Sequence, residues 1–523
     1  VVAGIMTGMF IAALEATVVG TAMPTVIASL GGLNHYSWVF SAYLVTSTVT
    51  VPVWGKLSDL YGRRLLYQIG IGVFLLGTLL SGLSTTMAQL IIFRAIQGLG
   101  AGALIPLGMT IIGDIFTVRE RAGMQAYFSG VWGLSSVIGP VIGGFITDQI
   151  SWRWVFFVNL PVGVIAALII GLALKEPSHT NKPKIDYAGA ALLMLAISLL
   201  MLALVEGGAS IATLLSSENI LLISASIILL IIFFFVEKRA SDPIIPFSLF
   251  NNKTVAVSVG AGFLAGVAMF GAISFIPLFA QGALGSTATE AGSLLTPLML
   301  SWVSMSIVGG RLMLRVGYRI VTITGFAILT FGFILLAMFQ RETDFYWLYA
   351  DLILIGAGLG LTMLTLLIAV QQAVEPAKLG TATSLNQFSR AIGGAFGVAI
   401  MGAFLTSGLA AQLNKAAQSG NANLTLEQAA AFSANPNALI DPAAKTAIAP
   451  ETLSILQEAM AVSIHQVFWV AAVISALAFL VSLFLPKQQI GSIHKTDENA
   501  GEKMFMAEQT TINARNQPVG VEE

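Results

Sequence analysis

Apolar residues fill this chain in long runs, such as 91–112 and 220–236, that are nearly free of charge and are separated by short clusters of Gly, Pro and basic residues. Runs of this length suit a helix crossing a hydrocarbon core, which takes about 20 residues, and they lack the ten-residue alternation of a membrane barrel strand. Helices and closed barrels alone satisfy backbone polar groups in lipid, so the runs are read as helices. Their approximate extents are 1–28, 37–56, 65–83, 88–112, 122–147, 153–174, 186–206, 219–237, 254–281, 290–312, 319–339, 346–371, 379–406 and 463–485, fourteen spans in all. The first segment runs past signal-peptide length and holds an acid, Glu15, so it is read as a span and not as a cleavable leader.

Composition agrees with an all-α membrane protein: 56% of residues are hydrophobic and 10% charged, and the mean hydropathy is +0.86. Soluble chains carry roughly 25% charge. A net charge of −1 offers no basic face, so nucleic acid is not expected as a partner. The absence of Cys removes disulfides, thiolate metal sites and a cysteine nucleophile. The four His, at 35, 179, 465 and 494, have no metal spacing, and no HExxH, GxSxG or P-loop occurs. No metal or cofactor is expected, and a membrane enzyme is disfavoured. The expected working unit is a monomer.

An even number of spans puts both termini on one side, and basic residues choose that side. With the termini in the cytoplasm, 19 of the 25 Lys and Arg fall in cytoplasmic segments, among them Lys56, Arg119, Lys238 and Arg311. Four fall outside, and Arg94 and Arg390 fall within spans. Residues 407–462 form a long external segment rich in Ala, Asn and Gln, which reads either as short amphipathic helices forming a lid or as a mobile loop. It contains a sequon at Asn423, a pattern frequent by chance. The polar tail, 487–523, is expected to be disordered.

A repeat divides the chain. Gly55-Lys56-Leu57-Ser58-Asp59-Leu60-Tyr61-Gly62-Arg63-Arg64 follows the second span, and Gly310-Arg311-Leu312-Met313-Leu314-Arg315-Val316-Gly317-Tyr318-Arg319 follows the tenth, with glycines and basic residues at matching offsets and Leu314 in place of the acid. Two parallel halves are a common transporter plan. The expected units are a six-helix bundle over 1–174, two linker spans over 175–240, a second six-helix bundle over 241–486 that includes the external segment, and the tail.

The decapeptide after the second span resembles the signature loop of the major facilitator superfamily, with Gly55, Asp59, Gly62 and Arg63 in its characteristic positions. Leu14-Glu15-Ala16-Thr17-Val18-Val19 with Ala22-Met23-Pro24-Thr25, Arg94-Ala95-Ile96-Gln97-Gly98-Leu99-Gly100, Gly139-Pro140-Val141-Ile142-Gly143-Gly144, and Trp152-Arg153-Trp154 through Asn159-Leu160-Pro161 resemble the fourteen-span drug:proton antiporters of the EmrB/QacA type. The resemblance implies a proton-coupled exporter of lipophilic or cationic compounds in a bacterial-type inner membrane, driven by the proton gradient. It departs at the first-span acid, usually Asp, where Glu15 adds a methylene. Export of lipids or fatty acids is the alternative within the fold; a channel or receptor is disfavoured by the matched halves.

Candidate chemistry follows from cost, since a charge at the bilayer centre is unfavourable by about 2.5–3.5 kcal/mol on insertion scales. Glu15 is such a charge, and Arg94 is its expected counter-ion, acting in proton coupling or as a static packing pair. Asp59 is expected to accept from a neighbouring helix N-terminus or from Arg121, forming with Gly55, Gly62, Arg63, Arg64 and Asp114 a latch between the halves; the plainer reading is a solvated loop. Gly130, Gly133, Gly139, Gly143 and Gly144 permit close helix approach along the fifth span, and Pro140 removes a backbone donor there. Gly393, Gly394 and Gly397 offer a matching surface in the thirteenth. Arg390 is the second intramembrane cation; Asp351, backbone carbonyls or a bound anion are its candidate partners. Asn386 and Gln387 either line a cavity with it or join helices, and Gln281 and Gln371 are weaker candidates; a pocket lined by Phe and Met would accept varied apolar molecules, while most of these residues are expected to face lipid or neighbouring helices.

Overall fold

The structure is a computed structural model that describes residues 1–30, 36–174, 186–207, 211–286, 288–339, 344–418, 424–434 and 448–487. The connection 175–185, the sequon at Asn423 and the tail beyond 487 lie outside the described residues. Every regular element among those residues is helical. The long helices are α1 (Val2–Leu30), α2 (Tyr36–Tyr61), α3 (Arg63–Leu83), α4 (Met87–Ile115), α5 (Val118–Gln149), α6 (Trp154–Ala173), α7 (Tyr187–Gly207), α8 (Ser217–Arg239), α9 (Lys253–Leu278), α10 (Leu295–Val316), α11 (Tyr318–Met338), α12 (Phe345–Gln372), α13 (Leu379–Gln418) and α14 (Pro450–Ser482). Eleven of them are long and apolar enough to cross a membrane. The other three, α1, α2 and α5, have spanning length and stand where the first, second and fifth spans are expected. The chain is a multi-pass membrane protein.

Local chemistry sets several helix ends. Thr86 caps α4 by accepting from the Gln89 amide at 3.2 Å. Thr117 and Glu120 form a reciprocal capping box on α5, with the Thr117 amide donating to Glu120 Oε2 at 2.9 Å. Ser216 and Asn252 cap α8 and α9. The repeated turns share one backbone form: Gly62 has φ 95° and ψ 152°, and Gly317 has φ 84° and ψ 159°. A side chain is strained there, so glycine lets a single residue join α2 to α3 and α10 to α11.

Helices α1–α6 pack on one another, as do α9–α14, while α7 and α8 pair together and dock through α7 on α2 and α13. The halves meet where α2 packs on α13 and α5 on α10. Each half has its own apolar interior: Ile71, Phe74 and Leu104 centre one, and Phe326, Phe333 and Phe468 the other. A third cluster, including Val49, Met201, Phe233 and Leu385, fastens the linker pair to both halves.

The last two spans are longer than their hydropathy suggests. Helix α13 continues to Gln418, α14 begins at Pro450, and a short helix covers Leu426–Ala434. Much of 407–462 is thus an extension of two helices, because its Ala, Leu and Gln sustain a helix after the apolar signal has ended. Gly393 and Gly397 lie against the backbone of α9, where an added Cβ would overlap the carbonyl oxygens of Phe263 and Val267. Gly397→Val is expected to destabilise by about 1–3 kcal/mol through overpacking, read as a lower thermal unfolding midpoint in detergent. Gly130→Ala, placed in open space, is expected to leave that midpoint unchanged.

Candidate functional site

Glu15 lies mid-way along α1 with no exposed surface, and α4 brings Arg94 to it, 2% exposed. Arg94 Nη1 donates to Glu15 Oε1 in a direct ion pair. Asn159 at the start of the main run of α6 donates through Nδ2 to Glu15 Oε2 at 2.6 Å. Arg94 Nη1 also donates to Gln97 Oε1 at 2.6 Å, and Gln97 Nε2 donates to Thr78 Oγ1 of α3 at 2.8 Å. Arg94 Nε reaches the Val39 carbonyl of α2 at 3.3 Å, and its guanidinium stacks 4.3 Å from the Tyr43 ring centre. One carboxylate therefore ties α1, α4 and α6 directly, and α2 and α3 through Arg94. Adding or removing a proton on Glu15 changes the charge that holds five helices. Sequence reasoning identifies the acid and the cation but gives no role to Asn159, Gln97, Thr78 or Tyr43, although Gln97 and Asn159 stand inside two of the motifs.

Asp59 sits at the end of α2 against the start of α13. Its Oδ1 accepts from the Gly380 amide at 2.9 Å, and its Oδ2 from the Thr381 amide and hydroxyl at 2.7 and 2.6 Å. This joins one half to the other, and the helix end favours the negative charge. Arg63 pairs with Asp59 at 2.6 Å and, through Nε, with Asp114 at 3.0 Å. Arg121, the alternative donor to Asp59, is placed elsewhere: it donates to the carbonyls of Phe116 and Gly113 and, across the halves, to Gln371 Oε1 at 3.3 Å. Gly55 makes the approach possible, because a Cβ there would overlap Ser384 Oγ. Arg64 is exposed. Lys56, counted from sequence among the basic residues of cytoplasmic segments, is 7% exposed and pairs with Asp242 beyond α8.

The remaining candidates divide. In α5, which runs unbroken from Val118 to Gln149 against α1, Gly139 and Gly143 are buried, and Gly144 faces open space. The Pro140 side chain lies outside the described residues. Gln371 is only 5% exposed; it accepts from Arg121 of α5 at 3.3 Å and donates to the Met109 carbonyl of α4 at 3.5 Å, so the weaker candidate from sequence is part of the contact between halves. Glu206 and Glu290 are exposed. Asp351 is not the partner of Arg390. Arg390 Nη1 rests 3.8 Å from Met363 Sδ, and Asp351 stands twelve residues before Met363 on α12, about 18 Å along the axis at 1.5 Å per residue. Both Asp351 carboxylate oxygens are buried without a partner. An apolar cavity of about 420 Å³ opens between α2, α7, α9 and α13, lined by Leu44, Leu204, Phe270, Phe275 and Val398 among others. Among the described residues its wall carries Phe but no Met.

A family model described as Major Facilitator Superfamily matches residues 5–398. The chain belongs to the major facilitator superfamily. Among superfamily members it is 36% identical over 531 residues to "Multidrug transporter protein MdtP" of Bacillus subtilis, covering 97% of this chain and 96% of that protein. It is 37% identical over 490 residues to "Multidrug resistance protein 3" of the same organism, covering 94% and 95%. The solved structure of the human organic anion transporter MFSD10 (TETRAN) superposes with a TM-score of 0.61 at 15% identity over 92% of this chain and 98% of that one, a likeness of fold alone.

Proposed function

We propose that this superfamily member is a proton-coupled antiporter of the fourteen-span EmrB/QacA type, exporting lipophilic or cationic compounds by alternating access. The observation that carries the reading is the buried Glu15–Arg94 pair with its amide partners. Protonation of Glu15 cancels the charge that holds Arg94, and deprotonation restores it, so proton loading is tied to the packing of α1 against α4 and α6. The Asp59 end is the cytoplasmic one on the distribution of basic residues, and its latch across α2 and α13 closes that face while Glu15 exchanges its proton with the other. The proton gradient supplies the energy, no cofactor is needed, and the membrane is a bacterial-type inner membrane with both termini cytoplasmic. The 36% and 37% identity to two proteins named for multidrug transport supports lipophilic small molecules as cargo.

Expression in an efflux-deficient bacterium is the direct test. Accumulation of a neutral lipophilic dye such as Nile red is expected to fall severalfold, and a protonophore is expected to abolish the difference. Protection that survives collapse of the gradient rules out proton coupling.

A further inference from the structure

Midway along α13, the side chains of Asn386, Gln387 and Arg390 present hydrogen-bond donors with no carboxylate among them. Arg390 is a donor only, with five N–H groups, and its hydrogen-bond contact among the described residues is the thioether of Met363, 3.8 Å from Nη1. Among the described residues no carboxylate lies within ion-pair distance of it. Gln387, one turn before, spends its amide N–H on another thioether, Met109 Sδ of α4, at 3.0 Å. Asn386 is 5% exposed, and its Nδ2 is buried without a partner. Sulfur is a weak acceptor, and turning over either amide leaves the guanidinium still a donor alone. Arg390 is only partly buried, so small polar groups can reach it. The group faces the seam between halves, since Met109 belongs to the first and Met363 to the second. Gly394, one turn beyond Arg390, lines the 420 Å³ apolar cavity, whose wall carries no charged or polar side chain among the described residues.

We propose that this cluster is the head-group site for substrate, and that the exported compounds it selects are amphiphilic anions: a carboxylate, sulfonate or phosphate on Arg390, with Asn386 and Gln387 donating beside it, and an apolar body in the adjoining cavity. A planar guanidinium matches two acceptor oxygens at once, and a ligand carrying them supplies the counter-charge that the protein withholds. The inference rests on the efflux reading for its word "exported", while the site itself is judged by binding.

Two probes with one apolar body separate the possibilities: 4-(1-pyrenyl)butyrate and the matching pyrenylbutyl-trimethylammonium, titrated against the full chain in lipid nanodiscs with empty discs subtracted. The wild type is expected to bind the carboxylate at least tenfold more tightly than the ammonium. Arg390→Gln is expected to weaken the carboxylate at least tenfold and the ammonium less than twofold, and Arg390→Lys, which keeps charge but not the fork, to recover part of the loss. Equal affinity of the wild type for the two probes, or equal weakening of both by Arg390→Gln in a monodisperse sample, overturns the proposal. Carboxylate-selective binding with no export of either probe from vesicles supports the site and instead defeats the efflux reading.

Discussion

Glu15→Gln is expected to abolish export driven by a pH gradient while leaving a folded protein. The substitution keeps shape and removes the exchangeable proton. The new amide can still accept from Arg94, and its NH2 meets Asn159, whose Oδ1 is buried without a partner; turning that amide over would satisfy both. What remains is Arg94, 2% exposed with its counter-charge gone, a situation that costs about 3–5 kcal/mol in buried pairs. A lower unfolding midpoint is therefore expected alongside the loss of gradient-driven transport, which should exceed tenfold in reconstituted vesicles. Glu15→Asp retains the carboxyl and should retain coupling. If the Gln variant pumped like the wild type, Glu15 would not carry the proton.

Asp59→Ala is expected to shift the population toward forms open at the Asp59 end. It removes acceptors for two backbone amides and one hydroxyl of the opposite half, together with the partner of Arg63. Hydrogen bonds to a charged group contribute about 1.5–3 kcal/mol each, and water replaces them once the halves part, so the net shift is a fraction of the sum; even about 1.4 kcal/mol is tenfold in population. The chain has no Cys, so Ser384→Cys alone provides a reporter. Ser384 has no exposed surface and lies against Gly55. Its maleimide labelling is expected to rise at least tenfold when Asp59→Ala is added. An unchanged rate would mean that Asp59 does not hold the seam closed.

Charge explains which of these features the sequence discloses. Glu15, Arg94 and Arg390 stand out because an ion in an apolar run is costly and so conspicuous, and the span count follows from the same contrast. Asn159, Gln97 and Thr78 carry no such mark: a neutral amide or hydroxyl inside a span looks the same whether it joins helices or holds a carboxylate. The reach of Asp59 to Gly380 spans more than 300 residues of chain, and no local pattern records it beyond the repeat that puts an acid in one loop and Leu314 in the other. Hydropathy also stops at the lipid boundary, which is why the ends of α13 and α14 run past their expected limits. Lys56 reads from sequence only as a cytoplasmic charge, since its partner Asp242 follows α8 and comes close only in the assembled fold.

The two seams at the Asp59 end are unequal. Along one, α13 takes the acceptor for its opening amides from the other half; along the other, α5 closes its own first turn with Thr117 and Glu120, and Leu314 of α10 presents only hydrocarbon. Among the described residues the stitching is uneven: three hydrogen bonds converge on one carboxylate along α2 and α13, while Arg121 of α5 donates across the halves to Gln371. Parting is complete only when the Asp59 bonds break, so that one carboxylate sets when the mouth comes fully open.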